Sequence, residues 1–252
     1  MSRGLLLCPG AACVNASPLS NPTSIPVLIY EVFQTLQGEG KYAGHPCIFV
    51  RTSGCNLRCT WCDTPHTSWR PQGTQRSVGE IVAQTQQWQD VEHAVISGGE
   101  PMLQPDLDEL VDALRDRGHF VTIESAGTLF SESVRPDFFS LSPKLAHARP
   151  DEESAQRLHD RNNDYAPLHQ FVAASSDLQV KFVVQGEQDL LQIEQLIEQY
   201  QLPREEIYLM PEGIDDETLH ERGLILAEIC RREGFSFTGR MHIELWGHRR
   251  GT

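Results

Sequence analysis

The chain is 252 residues long and 39% apolar, enough to bury one sizeable core, and this suits a barrel or α/β domain better than two small domains. Its 35 acidic residues against 21 basic ones give a formal net charge of -14, which repels phosphate backbones and anionic lipid and so excludes nucleic acid and membrane surfaces as first-choice partners. Seven cysteines in a chain too large to need disulfide staples point to a reducing compartment, the cytoplasm, and to metal ligation.

Residues 1–25 are rich in Ser, Pro, Ala and Asn without periodicity, and are expected to form a poorly ordered arm ahead of a core spanning residues 26–252. The mildly apolar stretch Gly4 to Val14 is broken by Cys8, Pro9 and Gly10 and is too short for an export signal. No apolar run reaches the roughly 18 to 20 residues of a transmembrane helix. VLIYEVFQ from Val27 and CIFVRTS from Cys47 read as strands, joined by the glycine-punctuated turn QTLQGEGKYAG. The loop Ser53 to His66, SGCNLRCTWCDTPH, follows at once. Ser77 with Glu80 has the form of a capping box, opening a helix that runs to about Gln89. His93 to Ser97 is a short buried strand ending in Gly98-Gly99-Glu100-Pro101. Leu107, Leu110, Val111 and Leu114 lie at helical spacing, and that helix stops at Gly118. Strands follow at His119 to Ser125 and in FFSLSPK, and the polar residues 146–164 read as a solvated excursion. A helix near Pro167 to Ser175, the strand LQVKFVV, a helix through Leu190, Ile193 and Ile197, the strand EIYLM and a helix from about Asp216 to Arg232 complete the pattern. His242 is expected in a terminal strand.

Strand and helix alternate five or six times, which argues an α/β fold of parallel βα units with right-handed crossovers. Ligands in such folds sit at the carboxyl ends of the strands. The cysteine loop and the GGEP, ESAG, SPK and MPEG runs all follow strand ends, so five segments converge on one face.

Cys55, Cys59 and Cys62 are spaced C-x3-C-x2-C. Three thiolates can ligate three irons of a 4Fe–4S cluster and leave the fourth iron open to a ligand. Structural zinc held by these cysteines and His66 is the closed-site alternative, and coincidental buried thiols a third, disfavoured by the hydrophilic loop. In isolation Glu39 and Glu100 read as turn carboxylates, Arg51 as a surface charge at a strand end, Thr64-Pro65 as a turn, and His242 as a packed structural residue.

CNLRCTWCDTP, with Trp61 just before the last cysteine and GGEP after the next strand, resembles the radical S-adenosylmethionine superfamily. QTLQGEGKYAGHPCIFVRTSGCNLRCTWCDTP together with ISGGEPMLQ, SPK, VKFVV, LMPEG and MHIELWGHRRG resembles, from about Val27 onward, the 7-carboxy-7-deazaguanine synthase family. That resemblance implies a single-domain partial (βα)6-type TIM barrel. The implied enzyme is a carbon–nitrogen lyase that contracts 6-carboxy-5,6,7,8-tetrahydropterin with loss of ammonia, in queuosine biosynthesis. Its implied cofactors are a 4Fe–4S cluster on the three cysteines, S-adenosylmethionine whose 5′-deoxyadenosyl radical abstracts hydrogen, and Mg²⁺ with Thr64 as its one protein ligand. The resemblance places Trp61, Cys62, Asp63, Gly98, Gly99, Glu100, Ser142, Pro143, Lys144, Met210, Pro211, Glu212 and Gly213 against S-adenosylmethionine. It places Leu36, Gln37, Gly38, Glu39, Arg51, Ser97 and His242 against the pterin. The glycines would let backbone approach the cofactor, Glu100 would accept from its ammonium, and Arg51 would offer a planar fork to the substrate carboxylate. A flavodoxin-type electron donor and a homodimer are also implied. The segment ESAGT stands where ETNGT is common, which puts a contact from that asparagine in doubt. An activase acting on a protein glycine is the rival enzyme, and it should lack the QGEG turn and Arg51.

Overall fold

In a computed structural model, residues 25–252 are described. The expected N-terminal arm, apart from Ile25, lies outside the described residues, as do Cys8 and Cys13. The strands are β1 (Val27–Leu36), β2 (Pro46–Thr52), β3 (Thr74–Arg76), β4 (His93–Gly98), β5 (Phe120–Ser125), β6 (Phe138–Leu141), β7 (Leu178–Val184), β8 (Ile207–Pro211) and β9 (Ser236–Phe237). The α-helices are α1 (Val78–Thr85), α2 (Leu107–Arg115), α3 (Glu153–Asn162), α4 (Leu168–Ala174), α5 (Leu190–Tyr200), α6 (Asp216–Glu233) and α7 (Met241–Trp246). One sheet takes the strands in the order β3-β1-β2-β4-β5-β6-β7-β8-β9. From β2 to β9 every pairing is parallel, whereas β1 pairs antiparallel with both β2 and β3. This is the anticipated partial (βα)6 barrel, with helices in every crossover among the parallel strands β2, β4, β5, β6, β7 and β8 except that from β5 to β6.

Strand periodicity decides what faces where. Ile48, Val50, Ala94, Ile96, Val121, Ile123, Val180 and Phe182 point outward into the main core beneath the helices. Their neighbours Cys47, Phe49 and Val95 form a separate small cluster inside the barrel. Above it the inward positions turn polar: Arg51, Ser97, Glu124, Ser140 and Lys181. The helices cover the outer face for reasons visible in their residues. Ser77 and Glu80 form the capping box at the start of α1, which buries Val78, Ile81 and Val82. In α2, Leu107, Leu110, Val111 and Leu114 are buried, each contributing about 1.5–3 kcal/mol.

The β1–β2 turn closes the end of the barrel opposite the cysteines. Tyr42 packs edge-on against His93, Phe120 and Phe138 at ring separations of 4.9, 5.4 and 4.9 Å. Lys41 bonds Asp177 at 2.7 Å, and Gly40 N donates to Thr238 Oγ1 at 2.7 Å, so the turn is fastened to the far strands.

The structure departs from the sequence reading in three places. Residues 146–164 contain α3, which buries Ala155 and His159 and is no solvated excursion. Ala155 is its only buried apolar residue, so no helical apolar stripe marks it in the sequence. His242 lies on α7, not on a strand. The strands β3 and β9 have three and two residues, too few to show a period. Among the described residues no helix is long and apolar enough to cross a membrane.

Candidate active site

The loop after β2 brings Cys55, Cys59 and Cys62 onto the wall of one cavity at the carboxyl end of the barrel, with Leu57 and Ala148 packed behind them. The loop is clamped from outside by the segment around α3. Thr60 N donates to Ala148 O at 2.8 Å, Arg58 N to His159 Nδ1 at 3.3 Å, and Asn162 Nδ2 to Asn56 O at 2.9 Å. On the other flank Trp69 Nε1 donates to Cys59 O at 3.0 Å. Burial pushes the Cys55 thiol up to about 11 and Cys59 to about 12, so these thiols are neutral until a metal displaces their protons.

Among the described residues, no set of three His, Cys, Asp or Glu side chains converges on one ion position. A cubane offers each thiolate a different iron, so three thiols lining one cavity suit a cluster without sharing one ion position. His66, the fourth member of the zinc alternative, instead packs its ring 4.3 Å from Tyr30.

Gly98 and Gly99 line the cavity, but their lack of a Cβ answers to the fold. A Cβ on Gly98, at φ +130, would fall 2.1 Å from Thr52 O, and one on Gly99 would fall 2.1 Å from Gly54 O. The pair therefore admits the start of the cysteine loop, a reason other than the expected approach of cofactor. Glu100 is also corrected. It is fully buried and off the cavity wall, with Oε1 accepting from Met102 N at 3.1 Å and Ser125 Oγ at 2.9 Å, and Oε2 from Ala126 N at 2.8 Å. Burial pushes its pKa up and the three donors oppose that. Its carboxylate ties the end of β4 to the end of β5 and is not presented to an ammonium group.

The barrel interior holds a chain of buried charges. Glu39 Oε2 accepts from Lys181 Nζ, and Oε1 accepts from Arg240 Nε at 3.1 Å. Arg240 also donates to Asp63 and, through Nη1, to Gly213 O at 2.7 Å. Burial alone would raise the Glu39 pKa, but Lys181 and Arg240 outweigh it and hold the carboxyl well below the usual range. Burial likewise opposes the charge on Lys181, which Glu39 restores. Glu124 takes Gln37 Nε2 on Oε1 at 3.0 Å and Ser97 Oγ on Oε2 at 2.8 Å. Arg51 lines the cavity, gives Nε to Glu31 at 2.8 Å and stacks 5.3 Å from the Phe49 ring. His242 packs on Gly38, where a Cβ would meet its Nδ1 at 2.1 Å, and burial lowers its pKa.

Beside the cysteine loop, Trp61 Nε1 donates to His147 Nδ1 at 3.0 Å, and His147 Nε2 donates to Val183 O at 3.1 Å, which fixes the neutral tautomer. Lys144 Nζ donates to Ser142 Oγ at 2.8 Å and lies 5.6 Å from the Trp61 ring centroid.

Leu36 to Glu39, Arg51, the three cysteines, Trp61, Asp63, Thr64, Ser97 to Gly99, Ser142, Lys144, Met210, Glu212, Gly213 and His242 all face this cavity. Pro143 and Pro211, like Glu100, do not. Glu124, Lys181, Arg240 and Ser68 face it without having been anticipated. A lysine inside LQVKFVV, a run otherwise apolar but for Gln179, was the available signal for Lys181; nothing local marks Arg240, which comes from the far end of the chain.

A six-strand parallel partial barrel with three cavity-facing cysteines at its mouth defines a radical S-adenosylmethionine enzyme, which uses a 4Fe–4S cluster and S-adenosylmethionine. Residues 49–168 match the Radical SAM superfamily. The chain is 39% identical to a 7-carboxy-7-deazaguanine synthase of Rhodopirellula baltica, over 90% of this chain and 89% of that one. It is 40% identical to one of Halobacterium salinarum, over 86% and 90%. The crystal structure of QueE from Escherichia coli superposes with a TM-score of 0.62 at 26% identity, covering 86% of this chain and 94% of that one. SuiB of Streptococcus suis bound to S-adenosylmethionine, at 15% identity and a TM-score of 0.54, over 73% of this chain and 48% of that one, shares the fold alone. The chain belongs to the 7-carboxy-7-deazaguanine synthase family.

Proposed function

We propose that the chain is a carbon–nitrogen lyase converting 6-carboxy-5,6,7,8-tetrahydropterin to 7-carboxy-7-deazaguanine with loss of ammonia, in queuosine biosynthesis. The observation that carries this is one cavity running from three thiols to a floor of paired charges. Cys55, Cys59 and Cys62 would hold the cluster, which with S-adenosylmethionine would supply reductive radical chemistry for hydrogen abstraction from the substrate. The chain's own residues hold and orient the substrate.

Arg51, fixed through Nε by Glu31, offers its terminal nitrogens to the substrate carboxylate. Glu39 has accepted one hydrogen bond on each oxygen and keeps a lone pair on each for the amine and amide edge of the pterin. Ser97 spends its proton on Glu124, so it meets substrate as an acceptor. Burial keeps His242 neutral near pH 7, able to accept or donate one proton. Trp61, Asp63, Gly98, Gly99, Ser142, Lys144, Met210, Glu212 and Gly213 are assigned to the S-adenosylmethionine flank. Thr64, two residues after the last cysteine and on the cavity wall, is assigned as the protein ligand of Mg²⁺, a cation that keeps most of its shell for water and substrate oxygen.

The same reading includes a flavodoxin-type electron donor and cytoplasmic placement, where thiols stay reduced. It includes a homodimer, and Leu224, Ile225 and Phe237 are among the exposed large apolar side chains. We take residues 26–252 as one functional unit and residues 1–25 as an accessory arm.

Anaerobic incubation of the iron- and sulfide-reconstituted protein with carboxypterin, S-adenosylmethionine and reductant should give the deazaguanine by mass. Turnover should rise with Mg²⁺, and Thr64→Ala should weaken that dependence several-fold. Cofactor cleavage without deazaguanine would overturn the substrate; an unchanged Mg²⁺ dependence would remove Thr64.

A further inference from the structure

Resting on the reading that Cys62 holds iron, we propose that the Ser68 hydroxyl donates a hydrogen bond to the Cys62 sulfur and so raises the reduction potential of the cluster. Ser68 Oγ lies 3.1 Å from Cys62 Sγ, within hydrogen-bond reach of sulfur. Ser68 is 3% exposed, and among the described residues its hydroxyl has no other partner.

The position is set by the residues on either side. Thr67 O accepts from Gly54 N at 2.8 Å, and Thr67 N donates to Thr64 O at 2.9 Å. Trp69 Nε1 is anchored on Cys59 O at 3.0 Å. Ser68 is thus held between two residues fastened to the cysteine loop itself, and its hydroxyl is aimed by the fold. The free thiol leaves the direction of the bond open, since either atom can donate. Ligation removes the thiol proton, so the sulfur can only accept and the serine must donate.

A hydrogen bond to a ligating sulfur is one of the levers on cluster potential. One-electron reduction adds negative charge that spreads onto the sulfurs, so a donor stabilises the reduced form more than the oxidised one. The effect is stronger where water is excluded. The lever is unequal among the three ligands. Cys55 Sγ receives a backbone donor, Leu57 N, at 3.4 Å, whereas Cys62 has a side-chain hydroxyl at 3.1 Å that a point substitution removes.

The test compares wild type, Ser68→Ala and Ser68→Thr after anaerobic reconstitution, with iron and sulfide counted per chain and the couple titrated by electron paramagnetic resonance. Ser68→Ala should carry the wild-type complement of iron. At fixed solution potential its reduced-to-oxidised ratio should fall about tenfold, or about 59 mV for one electron. Ser68→Thr keeps the hydroxyl and should restore most of the shift. A fully loaded Ser68→Ala protein with the wild-type midpoint overturns the proposal. Loss of the cluster from Ser68→Ala overturns it equally, because the residue would then hold the loop and not tune the metal. Wild type that binds no iron sinks the underlying reading instead, and the iron count separates that result from the others.

Discussion

Glu39 carries its charge in the barrel interior only because Lys181 and Arg240 face it from two directions. Lys181 is the more exacting partner, since its side chain is 5% exposed and the Glu39 side chain 14%, leaving little water to solvate either ion alone. Removing one member of such a pair leaves an uncompensated buried charge, which costs about 3–5 kcal/mol, whereas replacing both with neutral groups of similar volume is far milder. Glu39→Gln should therefore destabilise by about that amount in urea unfolding. The double variant Glu39→Gln with Lys181→Met should be more stable than the two single losses predict, by about 2 kcal/mol of coupling. Additive losses would show that the pair does not interact. The sequence marks Lys181 as a charge inside an otherwise apolar strand, yet its partner lies 142 positions away, and only the parallel sheet brings them together.

Each element around the site is legible in the sequence to the extent that its own period is intact. The capping box of α1 and the Leu107 to Leu114 face of α2 appear in the chain because one side of each helix is buried, and β4 and β7 appear as nearly unbroken apolar runs because both of their faces are buried. What escapes is an element whose function lies in its polar groups. In α3, His159 and Asn162 turn toward the cysteine loop and hold its backbone, and the helix consequently reads as solvated. Glu100 escapes for the opposite reason. Its place in GGEP suggests a ligand contact, but its three donors come from Met102, Ser125 and Ala126, the last two on the far side of α2 in sequence. All three partners donate, so the carboxylate form is the one the β4–β5 junction fits. Glu100→Gln sets an amide N–H against a backbone or hydroxyl donor and should cost about 1–3 kcal/mol. Differential scanning fluorimetry should show a melting temperature lower by several degrees, at about 2–4 °C per kcal/mol for a chain of this size. An unchanged melting temperature would mean that the junction does not depend on the carboxylate.

At the scale of the whole molecule, the histidines buried in the fold set how it meets acid. Burial lowers the pKa of His93, His159 and His242, and His93 at the barrel floor is held down to about 4. Its Nε2 meets Thr122 Oγ1 at 2.7 Å, and the rings of Tyr42 and Phe120 pack around it. Above about pH 6.5 the folded and unfolded chains both carry this histidine neutral, and its ionisation contributes nothing to the balance. Below that pH the unfolded chain takes up a proton that the folded chain refuses until about pH 4. The unfolded state then binds more protons, so stability falls as pH falls, by up to about 1.4 kcal/mol per pH unit for one group. Depressed carboxylates such as Glu39 act lower, below the ordinary carboxylate pKa of about 4.3, so the two windows barely overlap. His93→Gln keeps a polar group near Thr122 and removes the titration. Urea unfolding from pH 7 to pH 4.5 should show wild type losing stability more steeply than His93→Gln, the difference between the two curves changing by about 2 kcal/mol across that range. Taking the difference cancels acid effects on the cluster, which both proteins share. Parallel curves would place the acid sensitivity elsewhere in the barrel.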